Sequence, residues 1–236
     1  MNDRRSALLH APNYSAVDSA QILGLPLSTV RNWSFGQTGR LQPAQRRRFA
    51  SVIEPADRSR KYLSFANLCE LHVLSAIRRE HRVKLSAVRK GIDYVRKQTG
   101  KERPLLDADF KTNGIHLFFE HAGQLLAASL QGQVAMRGEF ERALARIEHD
   151  RSGSPVRLFP FSRARSASDP QPTVVAIDPS VAFGRPMLAS AGVKTEVIQS
   201  RFLAGDTLAQ MASDFRVTED DVLEALRYEQ LRAQAA

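Results

Sequence analysis

Residues 14–34 read Tyr14-Ser15-Ala16-Val17-Asp18-Ser19-Ala20-Gln21-Ile22-Leu23-Gly24-Leu25-Pro26-Leu27-Ser28-Thr29-Val30-Arg31-Asn32-Trp33-Ser34. Ser15 with Asp18 three positions later is the pattern of a helix-opening box, in which each side chain satisfies a backbone N–H that the helix leaves orphaned. Ala20 and Leu23 then give a short helix one apolar face. Gly24 allows a left-handed turn without a Cβ penalty, and Leu25 can plug the angle between two helices. Pro26 suits a first helical turn, having no N–H to leave unpaired. Val30 and Trp33 supply the second helix with an inward face. Ser28, Thr29, Arg31 and Asn32 are thereby left outward, short polar groups and one guanidinium on an exposed side. A recognition helix needs this to enter a major groove and reach base edges. An ordinary two-helix hairpin would carry the same core pattern.

The following residues favour the DNA-reading version. Phe35-Gly36-Gln37-Thr38-Gly39-Arg40 holds two glycines within four residues, a turn signal. Gln45-Arg46-Arg47-Arg48 comes next, then Phe49–Ile53 as a short strand. A glycine hairpin carrying arginine beside a recognition helix is a wing, whose Gln37, Arg40, Arg46, Arg47 and Arg48 would lie on phosphate or in the minor groove. An arginine triplet can equally be a solvated loop. Two longer helices follow: Phe65, Leu68, Leu71, Leu74 and Ile77 run to about His81, and Leu85, Val88, Ile92 and Val95 run to a stop at Gly100. Their outer faces are basic, with Arg78, Arg79 and Arg82 on one and Arg89, Lys90, Arg96 and Lys97 on the other.

Charge is distributed unevenly over the 236 residues, whose formal net charge is +9. Residues 1–103 carry 20 Lys/Arg against 8 Asp/Glu, residues 104–171 carry 8 against 8, and residues 172–236 carry 6 against 9. A polycationic front end suits nucleic acid, because neutralising phosphates releases condensed counterions; an arginine-rich proteome would give a basic surface too. No apolar run approaches the ~20 residues of a membrane helix, and the start lacks a signal-peptide pattern. Cys69 stands alone, which excludes a disulfide framework within one chain. These features predict a soluble protein of a reducing cytoplasm.

Beyond residue 103 the period changes. Gly114–Leu130 reads as two short strands around a turn near Gly123, a small central β-hairpin, with a helix from about Glu139 to Glu148. Residues 151–172 are rich in Ser, Pro and Arg and read as a linker with one short strand at Val156–Phe161. Residues 173–236 form a last module of three helices: Val193–Leu203, with Val197, Ile198 and Phe202, or Ile198 and Arg201, sharing faces, then Thr207–Phe215 and Thr218 to about Leu231. The third opens with Glu219-Asp220-Asp221, carboxylates that suit the helix dipole and repel phosphate, so this module is expected to meet protein. The expected organisation is a winged helix-turn-helix module at 1–103, a small α+β segment at 104–150, the linker, and a three-helix module at 173–236, in a mainly α (α+β) fold.

Catalytic signatures are missing. The six histidines show no metal spacing, and no phosphate-cradling or nucleophile-elbow motif occurs. Cys69 sits among leucines and reads as core. The expectation is a non-enzyme without metal or cofactor.

The tail segment from Ile177 through Phe183-Gly184-Arg185-Pro186 and Arg201-Phe202-Leu203-Ala204-Gly205-Asp206 to Tyr228-Glu229 resembles a small helical domain of VapB-type antitoxins. Tyr14–Trp33 resembles the MerR-type winged helix. The similarity runs over nearly the whole chain and implies an antitoxin of a type II toxin–antitoxin pair. It also implies a PIN-like ribonuclease toxin from a neighbouring gene, and a homodimer that represses its own operon on double-stranded operator DNA. A MerR regulator carries an effector-binding or cysteine-metal end, and the lone Cys69 counts against a metal sensor. The rival readings are a stand-alone MerR-like regulator with residues 104–150 as a ligand sensor, and a scaffold whose basic front is incidental.

Overall fold

The computed structural model describes residues 2–38, 48–81, 85–107, 110, 113–122, 130–162 and 172–235. The chain is mainly helical, with small antiparallel two-stranded ladders. The front part comprises α1 (Asn2–His10), β1 (Tyr14–Ser15), α2 (Ala16–Leu23), α3 (Leu27–Phe35), β2 (Gln37–Thr38), β3 (Arg48–Phe49), β4 (Tyr62–Leu63), α4 (Phe65–His81) and α5 (Leu85–Thr99). β1 pairs with β4, and β2 pairs with β3 in the register Gln37↔Phe49 and Thr38↔Arg48. Helix α4 is buried on every side from Phe65 to Ala76, because neighbouring helices and short strands cover all of its faces. Cys69 is among those fully covered residues, and burial pushes its thiol well up. Helix α5 stops at Gly100, whose φ of 68° lies in the left-handed region.

The middle corrects the expected hairpin. Residues Asn113–Ala122 are a helix, α6, and Leu130 opens another, α7 (Leu130–Leu144). Ile115 and Phe118, three apart, are both buried while His116 is exposed, a helical burial pattern. The run Ile115–Phe119 is apolar at four of five positions, so it satisfies either period, and the packing of Phe118 against Phe140 of α7 decides for helix. Gly114 permits a close approach here: a Cβ would stand 2.3 Å from the Phe110 ring. The helix expected at 139–148 ends four residues earlier, since Ile147–His149 is β5.

The linker boundary also moves. Pro155–Leu158 is β6, paired with β5, and Leu158 exchanges two backbone hydrogen bonds with Ile177. Phe159 and Phe161 are buried, and the Arg146 guanidinium donates to the carbonyls of Phe159 (2.7 Å), Pro160 (2.9 Å) and Pro172 (2.7 Å). Residues 151–162 are therefore built into the fold, and 163–171 lie outside the described residues. The tail holds β7 (Val175–Ala176) paired with β8 (Met187–Leu188), then α8 (Thr195–Leu203), α9 (Leu208–Phe215) and α10 (Glu219–Gln234). Leu188, Ile198, Met211, Val222 and Leu226 form its own small core. On α8 only Ile198 of the expected trio is inward, while Val197 and Phe202 remain exposed.

Candidate nucleic-acid interface

The helix-turn-helix geometry follows from local chemistry. Ser15 and Asp18 form the reciprocal box: the Asp18 amide donates to Ser15 Oγ and the Ser15 amide to Asp18 Oδ2, each at 3.0 Å. Burial raises the Asp18 carboxyl, but the Ser15 hydrogen bonds and the Arg185 guanidinium outweigh it and hold the group below the usual carboxylate range. α2 ends on Gly24 at φ 59°, and the Leu25 amide reaches back to the Ala20 carbonyl at 2.9 Å. Leu25 is buried in the angle between the helices. Pro26 is the N-cap of α3, one position before the expected first turn, and its carbonyl accepts from the amides of Thr29 and Val30.

The faces of α3 divide as the spacing predicts. Val30 and Trp33 are buried, whereas Ser28 and Arg31 are exposed and Thr29 and Asn32 half-buried. The helix closes at Gly36 and leads directly into β2, so the β2–β3 hairpin stands at the end of the outward-facing helix. Gln37 and Arg48 lie on its paired strands, while Arg40, Arg46 and Arg47 fall outside the described residues. The strand expected at Phe49–Ile53 shrinks to Arg48–Phe49 because Val52 and Ile53 turn into the core.

The root of the hairpin is fixed from three sides. The Trp33 carbonyl at the end of α3 accepts from the amides of Val52 (2.7 Å) and Ile53 (3.2 Å). Arg89 on α5 donates to the carbonyls of Ala50 and Ser51. Asn67 on α4 donates to the Glu54 carbonyl at 2.7 Å and accepts from the Ala56 amide at 3.0 Å. Behind it, Arg103 bridges Glu70 at 2.6 Å and the Glu54 carbonyl at 3.2 Å. Burial pushes the Glu70 carboxyl up, against the pull of Arg103. The expected basic outer faces of the supporting helices are thus partly structural. Arg89 and Arg96 are engaged within the chain, Arg96 with Asp93 at 2.7 Å, while Lys90 and Lys97 are exposed. The side chains of Arg78 and Arg79, and Arg82 altogether, lie outside the described residues.

The tail docks on this module through residues that sequence reasoning assigned no contact. Tyr14 donates its hydroxyl to the Gly184 carbonyl and Asn13 its amide to the Phe183 carbonyl, both at 3.0 Å. Arg185 stands 3.4 Å from Asp18, and the Tyr228 hydroxyl donates to the Ile22 carbonyl at 2.8 Å. Ala182, Phe183 and Gly184 have φ of 50°, 56° and 71°, three consecutive left-handed residues of which glycine alone adopts that conformation freely. The Arg201–Asp206 pair explains the Arg-Phe-Leu-Ala-Gly-Asp box: the guanidinium spans Asp206 and Asp214 and lies over Phe215. Thr218 and Asp221 cap α10, and Glu219 and Asp220 project from its start into solvent.

A cavity of about 220 Å³ opens between α5, the 3₁₀ turn at Pro104–Leu106 and α6, lined by Val95, Pro104 and Phe110, with the Lys101–Asp107 ion pair (2.8 Å) beside it. Among the described residues no three His, Cys, Asp or Glu side chains group as a metal site, and no helix is long and apolar enough to cross a membrane.

Comparison with known proteins agrees with the helix-turn-helix. Residues 12–92 match a family described as "Putative DNA-binding HTH domain", and residues 175–228 match one described as "Protein of unknown function (DUF433)". The chain is similar to the Mycobacterium tuberculosis protein named "Putative antitoxin VapB45", with 26% identity over 232 residues, 91% of this chain and 92% of that one. The crystal structure of Rv2018 from Mycobacterium tuberculosis shares the fold at a TM-score of 0.66 and 22% identity, covering 92% of this chain and 98% of that one.

Proposed function

We propose that this chain is the DNA-binding antitoxin of a toxin–antitoxin pair. As a homodimer it represses its own operon at an operator with two half-sites, and it neutralises a PIN-like ribonuclease toxin encoded beside it. The observation that carries the DNA half is the outward face of α3, with Ser28 and Arg31 exposed beside a hairpin whose root is held by α3, α4 and α5. Ser28, Thr29, Arg31 and Asn32 read base edges, Arg31 being suited to a bidentate contact with guanine. Gln37, Arg40, Arg46, Arg47 and Arg48 set the wing on the phosphate backbone. The toxin half rests on the likeness to a relative named as an antitoxin, which extends over both modules.

The test is co-expression of the tagged chain with the product of the adjacent reading frame. Co-purification, together with rescue of growth that the neighbour alone suppresses, is the expected result. A neighbour that is neither toxic nor bound would overturn the antitoxin reading. It would favour a stand-alone regulator answering to a small ligand, for which the 220 Å³ cavity beside residues 104–110 offers a place.

A further inference from the structure

The cavity of about 220 Å³ between α5, the 3₁₀ turn and α6 is walled by the same two pieces of chain that hold the hairpin root. Val95 and Thr99 line it from α5, the helix whose Arg89 donates to the Ala50 and Ser51 carbonyls. Lys101 and Pro104 line it from the strap that follows, on either side of the Arg103 that bridges Glu70 and the Glu54 carbonyl. Arg96 on α5 donates to the Glu102 carbonyl at 3.0 Å and ties the strap to the helix. On the α6 side Gly114 offers bare backbone, against which the Phe110 ring is pressed.

The lining selects its guest. Val95, Pro104 and Phe110 are apolar and buried. Lys101 and Asp107 are paired with each other at 2.8 Å, and the Thr99 hydroxyl donates to the Val95 carbonyl at 2.8 Å. A charged guest would therefore lose its hydration without gaining a partner. A flat apolar one finds an aromatic neighbour in Phe110. Roughly 150 Å³ is enough to hold benzene, so about 220 Å³ admits one ring or two fused rings.

We propose that this cavity binds a small uncharged aromatic molecule, of the size of phenol or indole, and that its occupancy tightens the grip of the chain on DNA. The second half rests on the DNA-binding part of the function proposed above and is independent of the toxin. A guest gives the walls the contact atoms that an empty space denies them. It does so only in the arrangement that brings Arg89 and Arg103 to the root together, and it favours that arrangement over any in which strap and helix part or collapse. By linkage the effect is mutual, and DNA strengthens binding of the guest by the same factor.

The experiment takes the full chain, indole as the probe, and DNA from upstream of the chain's own gene. Indole is expected to bind saturably, one per chain, to raise the Tm, and to lower the Kd for DNA about fivefold. Indole-3-carboxylate, the same rings with a charge, is expected to bind about tenfold more weakly. Thr99→Phe, which plugs the mouth from an exposed position, is expected to abolish indole binding and to leave indole-free DNA affinity unchanged. Val95→Leu, which narrows the cavity from within, is expected to weaken indole by a smaller factor. Arg89→Ala is expected to bind indole as the parent does and to lose most of its effect on DNA. No saturable binding up to the solubility limit of indole, or equal binding by Thr99→Phe, overturns the site. Tighter binding of the carboxylate overturns the uncharged class. Bound indole with DNA affinity unmoved, or a full indole effect in Arg89→Ala, overturns the coupling and leaves the DNA-binding reading standing. A chain that binds no DNA, with or without indole, overturns that reading and the coupling together, and the DNA-free titration still decides the site.

Discussion

Substituting Gly184 by alanine tests whether the two modules are held together as described. The residue sits at φ 71°, where a non-glycine side chain costs about 1–2 kcal/mol. The new Cβ would also lie 2.1 Å from the Tyr14 hydroxyl, and Tyr14 is 2% exposed, so its ring has nowhere to swing. The hydroxyl must leave the Gly184 carbonyl, and stranding a buried polar group costs about 1–3 kcal/mol. Together these give roughly 2–5 kcal/mol, a fall in Tm of roughly 5–15 °C for a chain of this length. Urea unfolding of the single and double variants with Tyr14→Phe supplies the decisive comparison. Tyr14→Phe alone should cost about 1–2 kcal/mol. In its background Gly184→Ala keeps the conformational part and a tight 3.2 Å approach to the ring carbon but loses the clash with the hydroxyl, so the pair departs from additivity by about 1–3 kcal/mol. Gly184→Ala within about 0.5 kcal/mol of the parent, the range of an inert surface change, or strict additivity of the pair, would refute the clamp.

Four further outcomes are expected. Arg31→Ala should lower operator affinity by about 1–3 kcal/mol and relax preference at one base pair, read by titration against single-base operator variants. Arg47→Ala should weaken all sequences alike and reduce the slope of log K against log salt by about one, so a sequence-selective loss would contradict its backbone role. Asp18, held below the usual carboxylate range when folded, contributes stability that is complete above the unfolded value of about 3.9 and is lost as pH falls through the lower folded value. Asp18→Asn should therefore flatten the acid limb of a stability–pH curve, and an unchanged limb would remove Asp18 from the account. Cys69, fully buried with a raised thiol, should ignore a thiol reagent in the native chain and react fully in denaturant.

How much of this was legible in the sequence depended on how local the determinants are. The box at Ser15–Asp18, the left-handed Gly24 and the inward Val30 and Trp33 operate within a few residues, and they place α2 and α3 closely. The periodic leucines likewise predict α4 and α5. Residues 113–122 misled because Ile115, Leu117, Phe118 and Phe119 fit a strand as well as a helix; only Phe140, far along the chain, resolves the choice. The Ser- and Pro-rich stretch looked like linker because nothing local reveals that Arg146 would gather its carbonyls. The grip of Tyr14 on Gly184 joins residues 170 apart and left no trace in periodicity or composition. Of the candidate DNA contacts, Ser28 and Arg31 stand outward as the spacing implied, Thr29 and Asn32 are half-buried, Arg48 lies on β3, and Arg40, Arg46 and Arg47 fall outside the described residues.

The hydrogen bond from Tyr228 to Ile22 spans 206 residues, and with the Tyr14–Gly184 bond it makes the tail a support of the first helices. During synthesis α2 leaves the ribosome long before Gly184 or Tyr228 exists, so these two bonds form only after the tail has emerged. A nicked or prematurely terminated product would lack these struts, and its α2 would stand with the Ile22 carbonyl deprived of its donor. The two bonds thereby tie the stability of the front module to the presence of the tail.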